Sequence, residues 1–312
     1  MTRTSRLREA ITMLKPIVVG LDGSRESLAA ADWAARTALR RGLPLRIVQA
    51  WEGSSVPEFA AAQPPDLTAP QYGVRRTLRH ALDRITERYP HVYVSAEQLR
   101  TPALPGLLSE AEDAELLVLG NRGLSGVSGL FSGSVALAVV ARAHLPVVLV
   151  RAGVTASDEH RADRKGLPST RTPCRDVLVA VDAQRPCDGL LAFAFDEAAQ
   201  RSATLRAVHI WHLPYGTSGL AAADVYDVAQ ESAQCALDAR LRPWQDKHPT
   251  VTVRSAAVHA RTVHEIVHAA QGAGLLVVGR RPRLAGTGPH TGPVTHAVLH
   301  HVTCPVAVVP HD

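Results

Sequence analysis

The chain has 312 residues, 46% hydrophobic and 4% aromatic, with 34 basic against 29 acidic side chains and a formal charge of +5. That is enough apolar material for two ordinary domains with separate cores, which excludes a tail, a fibre or a low-complexity chain. The excess of positive charge does not indicate nucleic acid, because the basic residues are scattered and the aromatics that would stack bases are scarce.

Residues 1–15 form a basic arm with neither a long apolar run nor a small-residue cleavage site, so no secretory signal is expected and the cytoplasm is the expected compartment. The first strand follows as Pro16-Ile-Val-Val-Gly-Leu-Asp22. A helix is expected over residues 24–41: it opens on Ser24, is rich in alanine, and closes with Arg40, Arg41 and Gly42. Next come a strand at Leu45-Arg-Ile-Val-Gln-Ala-Trp51, a helix near 73–89, a strand near 91–95, a helix near 102–113 and a strand at 115–120. A glycine-rich loop leads into a helix near 132–144 and a last strand at 146–151. The most apolar stretch, residues 134–150, carries Arg142, His144 and Pro146, short of the roughly 18 uninterrupted apolar residues of a membrane helix, so no membrane contact is expected.

Residues 152–174 are polar and punctuated by Gly153, Gly166, Pro168 and Pro173, the composition of an exposed linker. Beyond them the pattern returns. Asp176-Val-Leu-Val-Ala-Val-Asp182, Leu205-Arg-Ala-Val-His-Ile-Trp211, Leu275-Leu-Val-Val-Gly279 and Cys304-Pro-Val-Ala-Val-Val309 repeat the strands of the first half. The offset drifts from 160 to 159 residues, one net deletion, so the chain is two copies of one domain, 16–151 and 175–312. The sibling of the first helix spans about 187–201. Nearly continuous apolar strands alternating with helices predict an open five-stranded parallel α/β sheet in each copy, covered by helices on both faces.

In such a sheet, ligands bind beyond the carboxyl ends of the strands, where chain progression reverses. That rule selects Asp22, just past the first strand, and the loop Gly120-Asn-Arg122-Gly123 through Gly133-Ser134, which runs directly into a helix. Glycines let backbone N–H groups approach an anion, and a helix start adds partial positive charge. The spacing Gly, two residues, Gly, nine residues, Gly-Ser, with Val-Gly20-Leu-Asp22, Trp33-Ala-Ala and Leu-Pro-Val-Val-Leu-Val150, resembles tandem-domain universal stress proteins over nearly all of both copies. The resemblance implies a flavodoxin-like or Rossmann-like fold, with copies related by a pseudo-twofold through their final strands. It also implies a ligand, ATP or a related adenine nucleotide, with or without Mg²⁺. Asp22 would then lie near the adenosine, the Ala50 main chain near the adenine, and Gly120, Arg122, Gly123, Gly133, Ser134 and the adjoining Val135 on ribose and phosphates. Capping of the first helix is a competing role for Asp22.

The second copy departs from the pattern. It has Gly279-Arg-Arg-Pro282, nine residues, then Gly292-Pro293. Proline lacks the N–H and fixes φ, so a degenerate second site is expected, with Asp182, Ile210, Gly279 and Gly292 left from the pattern; weak or different binding there is the alternative, with Arg280, Arg281 and Arg283 compensating in part by charge. His264-Glu265-Ile-Val-His268 fits a zinc-protease motif, but no glutamate follows it, the only later aspartate is Asp312, and the repeat aligns it with an ordinary helix at residues 105–109. Twelve of fifteen histidines follow residue 151 without gathering on one helical face, and Cys174, Cys187, Cys235 and Cys304 show no C-x-x-C spacing; no metal site is expected. None of the three lysines follows a glycine, so there is no Walker loop, and at most slow ATP hydrolysis is expected. The expected function is a nucleotide-linked stress-response regulator acting on an unidentified protein partner. A nucleotide-independent scaffold of the same fold is the alternative, and pairing of whole chains into a homodimer is left open.

Overall fold

The computed structural model describes residues 14–51, 69–122, 134–213, 222–281 and 291–311. These fall into two compact units, one ending at Gly153 and the other starting at Val154. No described helix is long and apolar enough to cross a membrane.

The first unit contains β1 (Ile17–Gly20), α1 (Arg25–Arg41), β2 (Leu45–Ala50), α2 (Ala69–Arg88), β3 (Val94–Leu99), α3 (Ala103–Glu112), β4 (Leu116–Asn121), α4 (Ser134–Arg142) and β5 (Val147–Arg151). All strands are parallel, in the order β3-β2-β1-β4-β5. The chain therefore winds outward from β1 to β3 and then reverses through β4 and β5. Right-handed crossovers place α1 and α2 on one face and α3 and α4 on the other, and each of these pairs is in contact. Ile17, Val18, Val19, Ile47, Val48, Leu117, Val118 and Val148 are wholly buried, as strands covered on both faces require.

Helix α1 shows why this sequence folds here. Ser24 caps it by accepting from the Ser27 N–H at 3.1 Å, and Gly42 ends it in the left-handed region at φ 63°. Ala30, Ala31, Ala34, Ala35 and Ala38 are buried, so the helix sits close to β1 and β4, and Trp33 is wholly buried as well. The buried Asp32 pairs with Arg36 and accepts from Arg88 at 3.0 Å and from the Tyr89 hydroxyl at 3.2 Å, tying α1 to the end of α2.

The second unit repeats this as β6 (Val177–Ala180), α5 (Asp188–Gln200), β7 (Leu205–Trp211), α6 (Ala222–Lys247), β8 (Val253–His259), α7 (Thr262–Ala269), β9 (Leu275–Arg280), α8 (Pro293–His301) and β10 (Val306–Pro310). Its parallel order is β8-β7-β6-β9-β10. The registers match residue for residue: Ile17 faces Leu45 and Leu116, and Val177 faces Leu205 and Leu275. The net deletion lies between β2 and β3, because Leu45 already faces Val94 where Leu205 faces Val253.

Two expectations needed revision. β3 begins at Val94 rather than near residue 91, because the preceding residues turn, with Val92 N–H donating to Tyr89 O at 3.0 Å. The strand then runs on to Leu99 through Glu97 and Gln98, pairing with β2 although those residues favour strands little. The segment joining the units is largely exposed, but its short 3₁₀ turn, Ala156–Glu159, inserts Glu159 into the second unit, where the side chain is 1% exposed. There Arg201 Nη1 lies 3.1 Å from Glu159 and Arg201 Nε 2.9 Å from Glu197. Burial alone would lower the Arg201 pKa; the two carboxylates outweigh it and raise it. Replacing Arg201 with leucine strands two buried carboxylates, so Arg201→Leu is expected to lose about 3 to 5 kcal/mol of stability, measured as a shift of the urea unfolding midpoint of the second unit.

Candidate functional site

The switch point between β1 and β4 opens into a cavity of about 390 Å³. Its geometry begins with two glycines. A Cβ on Gly120 would stand 2.7 Å from the backbone carbon of Glu26 and the nitrogen of Ser27, so only glycine allows the first turn of α1 to lie over the end of β4. A Cβ on Gly20 would come within 2.6 Å of Leu119 and 3.1 Å of Leu107. The start of α1 is thereby held at the cavity rim.

Asp22 follows β1, whose pairing is extended by Leu21 N–H donating to Val48 O at 2.8 Å. Its Oδ1 accepts from the Ser24 N–H at 2.9 Å and from the Ser24 hydroxyl, and its Oδ2 lies 3.4 Å from Arg122 Nη2. Burial pushes the Asp22 pKa up, but the Ser24 hydrogen bonds, Ser27 and the Arg122 charge together leave it below the ordinary carboxylate value. Asp22 thus supports the helix cap and faces the cavity at once. Ala50, at the end of β2, lines the opposite side, with Val48, Ala103 and Leu107 as apolar wall. Arg122 and Val135 complete the rim.

Of the residues selected from the sequence, Gly20, Asp22, Ala50, Gly120, Arg122 and Val135 therefore meet in one cavity. Ser134 opens α4 beside Val135. Gly123 and Gly133 lie outside the described residues. Sequence reasoning missed Gln49, which lines the cavity, is 6% exposed, and has an Oε1 without a hydrogen-bond partner among the described residues. Leu45, Ile47 and Gln49 share one face of β2, but Val48 is buried as well, so the strand shows no clean alternation that would single out the last position. Ser24, Ser27 and Glu26 of the helix start also line the site.

In the second unit Asp182, Ile210, Gly279 and Gly292 border a corresponding cavity of about 560 Å³. Asp182 again faces the arginine after the fourth strand of its unit, Arg281, at 3.4 Å. Pro293 is the first residue of α8 and Gly292 its cap, without a side-chain hydrogen bond. Pro282 lies outside the described residues. The His264-Glu265-x-x-His268 segment lies on α7, whose Ile266 is buried against the core as its first-copy counterpart Leu107 is. No group of three or more potential metal-ligating side chains occurs among the described residues.

A model of the Universal stress protein family matches residues 13–151 and again 173–310. The chain belongs to the universal stress protein family. Universal stress protein Rv2005c of Mycobacterium tuberculosis is 32% identical over 301 residues, covering 94% of this chain and 96% of that protein. Universal stress protein Rv2623 of the same organism is 30% identical over 296 residues, covering 94% and 95%. The crystal structure of a universal stress protein from Archaeoglobus fulgidus shares the fold at a TM-score of 0.62 and 14% identity, covering 95% of this chain and 98% of that one. A universal stress protein solved in complex with cAMP is 27% identical, covers 45% of this chain and 98% of its own, and has a TM-score of 0.36.

The glycine geometry is directly testable. Gly120→Ala is expected to destabilise the first unit by about 1 to 3 kcal/mol, because its new methyl meets backbone that cannot step aside. Gly189→Ala, in the first turn of α5 with nothing nearer than 3.6 Å, should be neutral or slightly stabilising. Denaturant unfolding of the two variants measures the contrast.

Proposed function

We propose that the first cavity binds ATP or a related adenine nucleotide, and that the protein is a stress-response regulator whose conformation or partner choice follows nucleotide occupancy. The observation that carries this is the convergence at one switch point of a carboxylate, a strand end beside an apolar wall, an arginine and the start of a helix. Val48, Ala103 and Leu107 suit the face of an adenine ring, the Ala50 main chain its edge, and Asp22 the ribose hydroxyls. The N-terminus of α4 and Arg122 suit phosphate oxygens. The Asp22–Arg122 contact does not block this role: both side chains are more than half exposed, and such pairs contribute only about 0 to 1 kcal/mol, so a phosphate can draw Arg122 away.

The described lining includes no lysine, and its two carboxylates, Asp22 and Glu26, both belong to the start of α1. Without a lysine clamp on the transferring phosphate, hydrolysis is slow, and the protein works as a binder rather than an enzyme. Regulation then requires that nucleotide prefer one of two conformations. The cytoplasm, Mg²⁺ alongside ATP, and pairing of whole chains belong to the same proposal.

A second reading has its own support. Gly20 and Gly120 are required by packing, and Asp22 by the cap, whether or not anything binds. A nucleotide-independent scaffold would keep all three.

Denaturing the purified protein and quantifying released adenine nucleotide, with ATP titration of wild type, Asp22→Ala and Gly123→Pro, separates these readings. Near one nucleotide per chain is expected. Asp22→Ala should weaken ATP by about 10- to 150-fold, the equivalent of one charged hydrogen bond worth about 1.5 to 3 kcal/mol. No released nucleotide and no ATP binding by the wild type would leave the scaffold.

A further inference from the structure

The two cavities occupy equivalent places in a repeated fold, so each substitution between them has a chemical direction. At the phosphate end the helix starts lose donors; Thr295 adds a hydroxyl where the first unit has Ala136, but it donates to Gly279 O at 3.4 Å. α8 starts on Pro293, which has neither an N–H nor a hydroxyl, where α4 starts on Ser134. α5 starts at the buried Cys187, which makes no capping hydrogen bond; the strand offset of 160 equates it with Ser27, three residues after the cap Ser24 of α1. The space vacated by that lost turn is taken by His311. Its ring lies so close to Gly279 that a Cβ there would overlap Nε2, where in the first unit the counterpart Gly120 abuts the backbone of α1. Arg281, the remaining cation on the described lining, faces Asp182 at 3.4 Å.

At the other end the differences add aromatic and hydroxyl groups. His209 stands where the first unit has Gln49. It is 4% exposed and borders the cavity, and its Nδ1 lies 3.0 Å from Val181 O. The Ala183 N–H lies 3.4 Å from the same Nδ1; the shorter contact, to Val181 O, sets Nδ1–H as donor, so Nε2 carries a lone pair, and it has no partner among the described residues. Thr262 replaces Ala103 and lies 3.0 Å from His212 Nε2. Trp211, the counterpart of Trp51 and so common to both copies, borders the cavity and packs against His259 at 4.8 Å and Tyr226 at 5.4 Å between ring centroids.

We propose that this second cavity binds a planar, uncharged nitrogen heterocycle, a purine base or its nucleoside, and discriminates against the phosphorylated form. The choice of purine rests on the adenine-nucleotide reading of the first cavity; the exclusion of phosphate rests on the second cavity alone. Apolar walls from Leu190, Val208 and Ile266 take the ring, and His209 Nε2 accepts from a ring or exocyclic N–H. A phosphate brought into this cavity would shed water and find fewer N–H groups at the helix starts, with the Thr295 hydroxyl already donating to Gly279 O. The two copies would then sense a nucleotide and its dephosphorylated product on one chain.

Equilibrium dialysis of the full chain with labelled adenosine, and separately with labelled ATP, reads the two cavities by stoichiometry. Wild type should take two adenosines but one ATP per chain. His209→Leu should lose one adenosine and no ATP, and this difference of one is read even if the first cavity takes no ATP, which separates failure of either proposal. A complementary variant, Trp211→Phe, keeps an aromatic ring in place and should lose the part of adenosine's tryptophan fluorescence change that ATP does not reproduce. Two ATP per chain in the wild type, an unchanged adenosine count in His209→Leu, or an unchanged fluorescence response in Trp211→Phe would overturn the proposal.

Discussion

The first cavity depends on one close approach of backbone to backbone. β4 ends at the switch point, and the first turn of α1 passes over that end at a distance that leaves no room for a side chain on Gly120. Because the helix starts there, Ser24 is positioned to cap it, Asp22 to accept from Ser24, and Arg122, two residues beyond Gly120, to face Asp22. A strand order that reverses between β1 and β4 creates the crevice. The missing side chain brings the charged groups to its rim.

The second unit meets the same constraint differently. Its strands keep the register of the first, and Asp182 and Arg281 keep the ion pair at 3.4 Å. Its first helix begins later, however, and an imidazole from the end of the chain packs against the equivalent glycine. The sheet geometry is fixed by buried apolar strands, which tolerate little change. The helix start is fixed by one cap and one turn, worth about 1 kcal/mol for the cap, and can shift without loss of the fold. Duplication followed by change at the helix starts is a physically inexpensive way to give one chain two different cavities.

The fold was legible because its determinants are local and repeated. The apolar runs of β1, β2, β4 and β5 recur at a near-constant offset, and α1 carries its own start and stop in Ser24 and Gly42. Strand β3 was misplaced because its Ser95-Ala-Glu-Gln98 stretch has no strand signal of its own and is held by pairing with β2. Glu159 was misjudged for a different reason: composition shows how many charges a segment carries, not that one of them meets Arg201 in a core. At the site, Asp22 and Gly120 could be selected from topology and motif, and Ala50 from the family resemblance. Gln49 and His209 could not, because a polar residue at the end of a strand acquires meaning only when its buried, unpaired atom is seen at a cavity.

The central claim is that nucleotide binds where α1 overlies β4 and not at the equivalent place in the second unit. Hydrogen–deuterium exchange of the full chain with saturating ATP tests it most directly. Slowed exchange over residues 20–27, 48–51 and 134–137, with residues 180–191, 208–212 and 292–296 unchanged, is the predicted result. Equal protection of both sets, or protection of neither, would contradict it.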